Sequence, residues 1–134
     1  YPVSVSSVIV PSDAQGVIVV GAVNNKDGVI EPFSSQGPTN NGKSVPNIVG
    51  PNGVTTISQN GNLFYGTSAT TPHVAGIVAL MLDVNSELTP IQLLEKIQQN
   101  AKPDYSQPNY QNVYGFGIID ATFVINEKEA EHTR

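Results

Sequence analysis

Ser68 is the residue of this chain best placed by its neighbours to act as a nucleophile. It stands in the run Gly66-Thr67-Ser68-Ala69-Thr70-Thr71-Pro72-His73-Val74-Ala75-Gly76, which opens directly onto an apolar stretch with helical spacing. A serine between a glycine-permitted tight turn and the first residues of a helix exposes its hydroxyl. Its own N–H is one of the first four of the helix, which have no intrahelical acceptor, and can stabilise an oxyanion. The chemistry is that of acyl transfer: the hydroxyl attacks a carbonyl and a backbone N–H receives the developing negative charge. Such a hydroxyl needs a base to take its proton, and the base needs a carboxylate to hold its tautomer.

The candidates for those two roles fail. His73 lies five residues after Ser68, and on a helix that places it roughly 140° round the axis, so its ring points away. A packed core histidine, hydrogen-bonded locally, is the reading it favours. His132 sits in a charged tail with no pattern of a catalytic histidine around it. Asp13, Asp27, Asp83, Asp104 and Asp120 all fall in loops or at helix ends. The sequence therefore describes part of an active site. The bland alternative for Ser68 is a serine that merely caps a buried helix.

Several elements must position that turn. Val17 to Val23 is a nearly continuous apolar run without alternation, the pattern of a strand buried on both faces of a parallel sheet covered by helices. Val8-Ile9-Val10 and Val45 to Val49 are shorter and Pro-bounded and predict edge or loop-like extended pieces, with Val54 to Ile57 another short strand. After Gly66 the period changes. Val74, Ile77, Val78, Met81 and Leu82 recur at three- and four-residue spacing, and Ala75, Ala79 and Leu80 make the helix apolar nearly all round, as for a helix buried in a core that runs to about Val84 or Asn85. Thr89-Pro90-Ile91-Gln92 is a capping box with proline at the first position, predicting a second helix over 90–101. Residues 103–113 predict a surface loop, and Tyr114 to Ala121 lead into a short terminal helix, with Glu127 to Arg134 fraying.

Composition bounds the answer. At 134 residues, 39% hydrophobic and 13% charged, the chain is suited to one folded domain or part of one, and no apolar run reaches bilayer-spanning length. A net charge of −5 with six scattered Lys and Arg offers no basic face for nucleic acid, and the absence of cysteine excludes disulfides and thiolate chemistry. The chain begins Tyr1-Pro2, without initiator Met or a signal-like segment, as expected of a piece internal to a longer product. Asn, Asp and Gly at 24–28 and 40–42 could ligate calcium but lack dense carboxylates, and a solvated turn is the better expectation, leaving no metal assigned.

The run from Gly66 to Gly76 resembles the nucleophile segment of subtilisin-like serine proteases, differing from the usual pattern only at Ala69 and Thr70. Four further stretches match in order, the third of them Val45 to Gly53: Val17 to Val23 is similar to the family's strand ending Val-Gly-Ala, Phe33-Ser34-Ser35-Gln36-Gly37-Pro38 to its Phe-Ser-Ser-x-Gly-Pro loop, and Tyr114-Gly115-Phe116-Gly117 to its closing Tyr-Gly-x-Gly. Val45 to Gly53 resembles its Pro-Asp-x-x-Ala-Pro-Gly segment, with Asn47 at the usual Asp and an extra residue in Gly50-Pro51-Asn52-Gly53. Neither departure suggests a functional consequence.

The resemblance implies an α/β fold of three layers on a mostly parallel sheet, with residues 1–134 the C-terminal portion of the catalytic domain. It starts the helix near Ser68 and leaves Pro72 inside its first turns, against a purely local reading that would start it at Thr71-Pro72. It makes Ser68 the nucleophile and its N–H half of an oxyanion hole. Gly66, Thr67, Phe64 and Ala69 would border the substrate cleft, where alanine in place of the usual methionine widens the leaving-group side. The family's catalytic Asp and His and its oxyanion-hole Asn lie upstream of Tyr1, so the isolated chain is expected to be inactive. The expected partners are the N-terminal part of the same protease, or a second copy, and a peptide substrate; no cofactor is implied, and a secreted enzyme is. A cut parallel sheet would leave an unpaired apolar edge. The alternative function is a non-catalytic, protease-like interaction module. An α/β-hydrolase would need a second glycine after Ser68, and a nucleotide-binding fold a glycine-rich loop after the first strand; both are missing.

Overall fold

The structure, a computed structural model, describes residues 6–103 and 110–132, with side chains through Glu127. Asp104 and the side chain of His132 lie outside the described residues, as does 104–109 of the expected loop. The centre is a parallel pair, β1 (Val20–Asn24) and β2 (Ile48–Asn52), in register from Val20 opposite Ile48 to Asn24 opposite Asn52. β1 starts three residues later than its β-branched run, because Val17 is exposed and the contact with the next segment begins at Val19. There the Val19 carbonyl accepts from the Asn47 N–H at 2.8 Å, and the Val19 N–H donates to Asn47 Oδ1 at 2.7 Å. Asn47 thus starts the pairing with its side chain.

The sheet is wider than two strands through single bridges. Ile118 lies parallel beside Val49, Lys102 antiparallel beside Ile118, and Ile30 antiparallel beside Val23. The last of these pairs the far end of β1 on the side away from β2. The chain turns back after Asn24, the Glu31 N–H donates to the Ala22 carbonyl, and Ser34 Oγ accepts from the Ala22 N–H at 3.0 Å, so the edge is covered over 22–24. Val8 and Ile9 form no strand, and Ile9 is well exposed. A small hairpin, β3 (Val54–Thr55) with β4 (Leu63–Phe64), follows β2 and encloses a single 3₁₀ turn at Ile57–Gln59.

α1 (Thr67–Val84) lies across the sheet, with Pro72 inside it, so it does start before the proline. Its Val74, Ile77 and Met81 pack with Ile48 of β2, with Leu93 and Ile97 of α2 (Pro90–Gln99) and with Val124 of α4 (Thr122–His132). Only this face is covered. Leu80 is 44% and Leu82 37% exposed, and Ala75, Gly76 and Ala79 are exposed as well. The helix apolar all round therefore has one buried face within the described residues.

The capping box forms as its residues dictate: Thr89 Oγ1 accepts from the Gln92 N–H and Gln92 Oε1 accepts from the Thr89 N–H. α2 ends at Gln99, two residues before the expected limit. α4 runs on through the charged residues to His132. Inside the expected loop a short turn of helix, α3 (Tyr110–Val113), stacks Tyr110 on Tyr114 with ring centroids 4.9 Å apart, over Val23 and Val49. Gly115 follows at φ 63°, where a Cβ would come within 2.4 Å of the Pro46 carbonyl oxygen, so only glycine permits this crossing.

Candidate active site

The turn that carries Ser68 is built where β2 ends. Asn52, the last residue of β2, is fully buried. Its Oδ1 accepts from the Gly66 N–H at 2.7 Å and its Nδ2 donates to Glu31 Oε1 at 2.8 Å. Asn25 adds a second tie, donating from Nδ2 to the Gly53 carbonyl at 2.6 Å. The hairpin brings Phe64 opposite Val54, and the chain then passes through Tyr65 to Gly66. Gly66 caps α1 at φ 108° and ψ 166°, a conformation closed to residues with a side chain.

Ser68 is therefore the second residue of α1, and it is exposed. Neither its hydroxyl nor its N–H makes a hydrogen bond among the described residues, whereas the next N–H, of Ala69, is already taken by the Gly66 carbonyl at 2.9 Å. No acidic residue stands in the first turn, so the positive end of the helix dipole at Ser68 is not offset there. Pro72, four residues on, has no N–H to return to the Ser68 carbonyl. An exposed hydroxyl, an unengaged N–H and a positive helix end are what an attacking oxygen and an oxyanion require.

The other expected residues divide. Gly66 and Thr67 are half-buried at the helix start and Phe64 is half-buried in β4, all within four residues of Ser68. Ala69 is a correction: at 2% exposure it adds no open surface to a cleft, because this end of α1 sits on the sheet, where the neighbouring Thr70 meets Gly50 of β2. His73 is also corrected. It is exposed, since it lies on the uncovered side of α1, and its Nδ1–H donates to the Ala69 carbonyl at 2.7 Å. That bond is local, as expected, and engages the nitrogen nearest the backbone.

Among the described residues, Asp27 and Asp120 are engaged away from the serine. Asp27 closes its own turn by accepting from the Val29 N–H. Asp120 accepts from Lys102 in a 2.7 Å ion pair and from the N–H and hydroxyl of Thr122 at the start of α4. The Lys102 hydrogen bond, then those from Thr122, lower its pKa to about 2. In the segments considered for calcium, Asn24 Oδ1 accepts from the Lys26 N–H, and Thr39 and Asn41 bond to one another and to Lys43. These oxygens close turns.

Glu31 and Asn52 were not singled out by sequence reasoning as parts of the site. The signal that could have found Asn52 was the extra residue in Gly50-Pro51-Asn52-Gly53: a polar side chain inserted at the end of a buried strand needs partners on both sides. Glu31 carried no such mark.

The geometry of a serine at a glycine-capped helix start meets an independent finding: a model of the subtilase family, peptidase S8, matches residues 3–117. The chain belongs to the subtilase family. Among curated relatives of this subtilase, the serine protease AprX of Bacillus subtilis is 33% identical over 135 residues, covering 83% of the chain and 30% of AprX. Human furin is 35% identical over 66 residues, which cover 42% of the chain and 8% of furin. The CspB protease of Clostridium perfringens superposes with a TM-score of 0.77 at 22% identity, over 94% of the chain and 30% of that structure. The epidermin leader peptide processing serine protease of Staphylococcus aureus does so with a TM-score of 0.63 at 26% identity, over 87% and 32%. The fold is thus α/β of the subtilisin-like kind, and this subtilase spans about a third of the length of AprX, of the CspB protease and of the epidermin leader peptide processing protease, and less than a tenth of furin.

Proposed function

We propose that this chain carries the nucleophile of a serine endopeptidase that works through an acyl-enzyme. The observation behind the reading is the exposed Ser68 at the second position of α1, its hydroxyl and N–H both unengaged among the described residues. Family membership supports it. Ser68 Oγ attacks the scissile carbonyl carbon while its proton passes to a base. The carbonyl oxygen, now negative, accepts from the Ser68 N–H. The tetrahedral adduct then expels the amine, which takes the proton, and water releases the acid by the reverse sequence. No cofactor enters these steps. Gly66, Thr67 and Phe64 border the bound peptide.

The base, its orienting carboxylate and a second oxyanion donor come in this reading from a preceding part of the same protease. His73 is turned into its own helix and Asp120 is held by Lys102, which leaves neither for the role. That preceding part would pack on the exposed side of α1 and along the cleft lined by Ile9, Ser12, Val17, Ile18, Ser35 and Thr71. The isolated chain is then inactive, and the enzyme, as a member of this family, is secreted. The non-catalytic alternative draws on the same failure of His73 and Asp120 to serve Ser68.

A serine-directed fluorophosphonate decides between them. In the longest protein that contains this chain, the adduct is expected on Ser68 by peptide mapping, and Ser68→Ala should abolish labelling and lower peptide hydrolysis by at least ~10⁴-fold. An unlabelled but folded protein would overturn the protease reading in favour of the interaction module.

A further inference from the structure

We infer that Asn52 is a positioning residue for the nucleophile turn, with Glu31 setting which way its amide faces. The inference rests on the reading of Ser68 as nucleophile. A buried side-chain amide can sit either way round unless its partners differ. Here they do: the carboxylate of Glu31 can only accept, so it takes the NH₂ group, and the N–H of Gly66 can only donate, so it takes the oxygen. Glu31 is itself held, since its N–H donates to the Ala22 carbonyl of β1. The relay thus joins β1, the end of β2 and the residue that caps α1.

Gly66 is where such a tie has leverage. Its φ of 108° lies outside the wells that other residues occupy, and glycine can leave that conformation for many others at little cost. The position at which Gly66 would bear a Cβ is 3.7 Å from the Ser68 nitrogen. Ser68 follows Gly66 by only two residues, so a rotation at Gly66 re-aims the Ser68 N–H together with its Oγ. The 2.7 Å bond to Asn52 anchors the Gly66 N–H, and with it the Tyr65–Gly66 peptide, so the upstream side of that hinge is fixed. Asn52 is fully buried, and its side-chain hydrogen bonds go to Glu31 and Gly66.

The test exchanges donor and acceptor. Asn52→Asp keeps the shape and the oxygen facing Gly66 but sets a second carboxylate against Glu31, at a buried position. Adding Glu31→Gln supplies an NH₂ group to that new carboxylate and rebuilds the relay in reverse. In the longest protein that contains this chain, N52D is expected to lower kcat and the rate of fluorophosphonate addition by about 10- to 100-fold with KM little changed. The E31Q/N52D pair should recover to within about threefold of the parent. Packing alone would not produce recovery by a second substitution that reverses the polarity.

An unchanged rate in N52D overturns the inference, as does an E31Q/N52D pair no better than N52D. Hydrogen exchange on the unaltered protein reads the relay without any activity: the Gly66 amide should exchange at least about tenfold more slowly than that of Ser68. Equal rates would overturn the relay even if the variants unfold. A parent protein that never reacts with the phosphonate counts against Ser68 as nucleophile, while the exchange result still decides the tie between Asn52 and Gly66.

Discussion

Gly66 shows how much of the site turns on one backbone conformation. At φ 108°, with ψ 166°, it occupies a region that any side chain would strain. Gly66→Ala is expected to cost roughly 1–3 kcal/mol of stability in urea unfolding and to slow phosphonate addition at Ser68 by more than stability explains. A G66A variant with parental stability and reactivity would sink the account of the turn. The sequence made this residue legible, because glycine two positions before a serine at a helix start has few other uses. It did not reveal Asn52 or Glu31, whose partners lie 14 and 21 residues from Asn52 and are joined only by the bend of the chain after each strand. The burial of Ala69 and the exposure of His73 escaped it as well, since both depend on which side of α1 the sheet covers.

Among the elements, α1 and α2 were the most legible, and for a local reason: helical periodicity and a capping box are written within a few residues. The strands were harder, because where β1 begins depends on Asn47, whose side chain reaches back 28 residues to Val19. The start of α4 carries a clear electrostatic shift. Asp120 has its pKa lowered from 3.8 to about 2 by the hydrogen bonds from Lys102 and Thr122. A depressed folded pKa means stabilisation that is complete above the unfolded value and lost as the pH falls through the folded one. Stability should therefore decline between about pH 4 and pH 2 in part through this carboxylate. Asp120→Asn should flatten that part of the curve in acid titrations followed by circular dichroism. An unaltered acid limb would remove Asp120 from the account.

At the scale of the molecule, the described residues leave apolar surface in particular places. Leu80 and Leu82 on α1, with Ile9 and Val10 beside the cleft, are exposed in a chain that spans about a third of AprX and of the CspB protease. Patches of this kind are sticky in water. The chain alone is expected to associate with rising concentration in sedimentation velocity, and Leu80→Glu with Leu82→Gln should reduce that association. A monodisperse monomer across the range would refute it. That the fold was subtilisin-like was readable from four motifs in order; that β1 would have its edge covered by 29–31 was not, because a single antiparallel bridge leaves no periodic trace.

The hydrogen bond from the Ile30 N–H to the Tyr114 hydroxyl, at 3.0 Å, joins residues 84 apart. It lies beside β1, one residue from Glu31. Contacts so distant along the chain close late in folding, after local helices have formed. The segment that presents Glu31 to Asn52 is thus held by a residue synthesised 84 positions after Ile30. A growing polypeptide would carry Ser68 and the start of α1 long before that clasp could shut. On the proposed reading of Ser68, the turn that aims it is fully braced only once Tyr114 has followed.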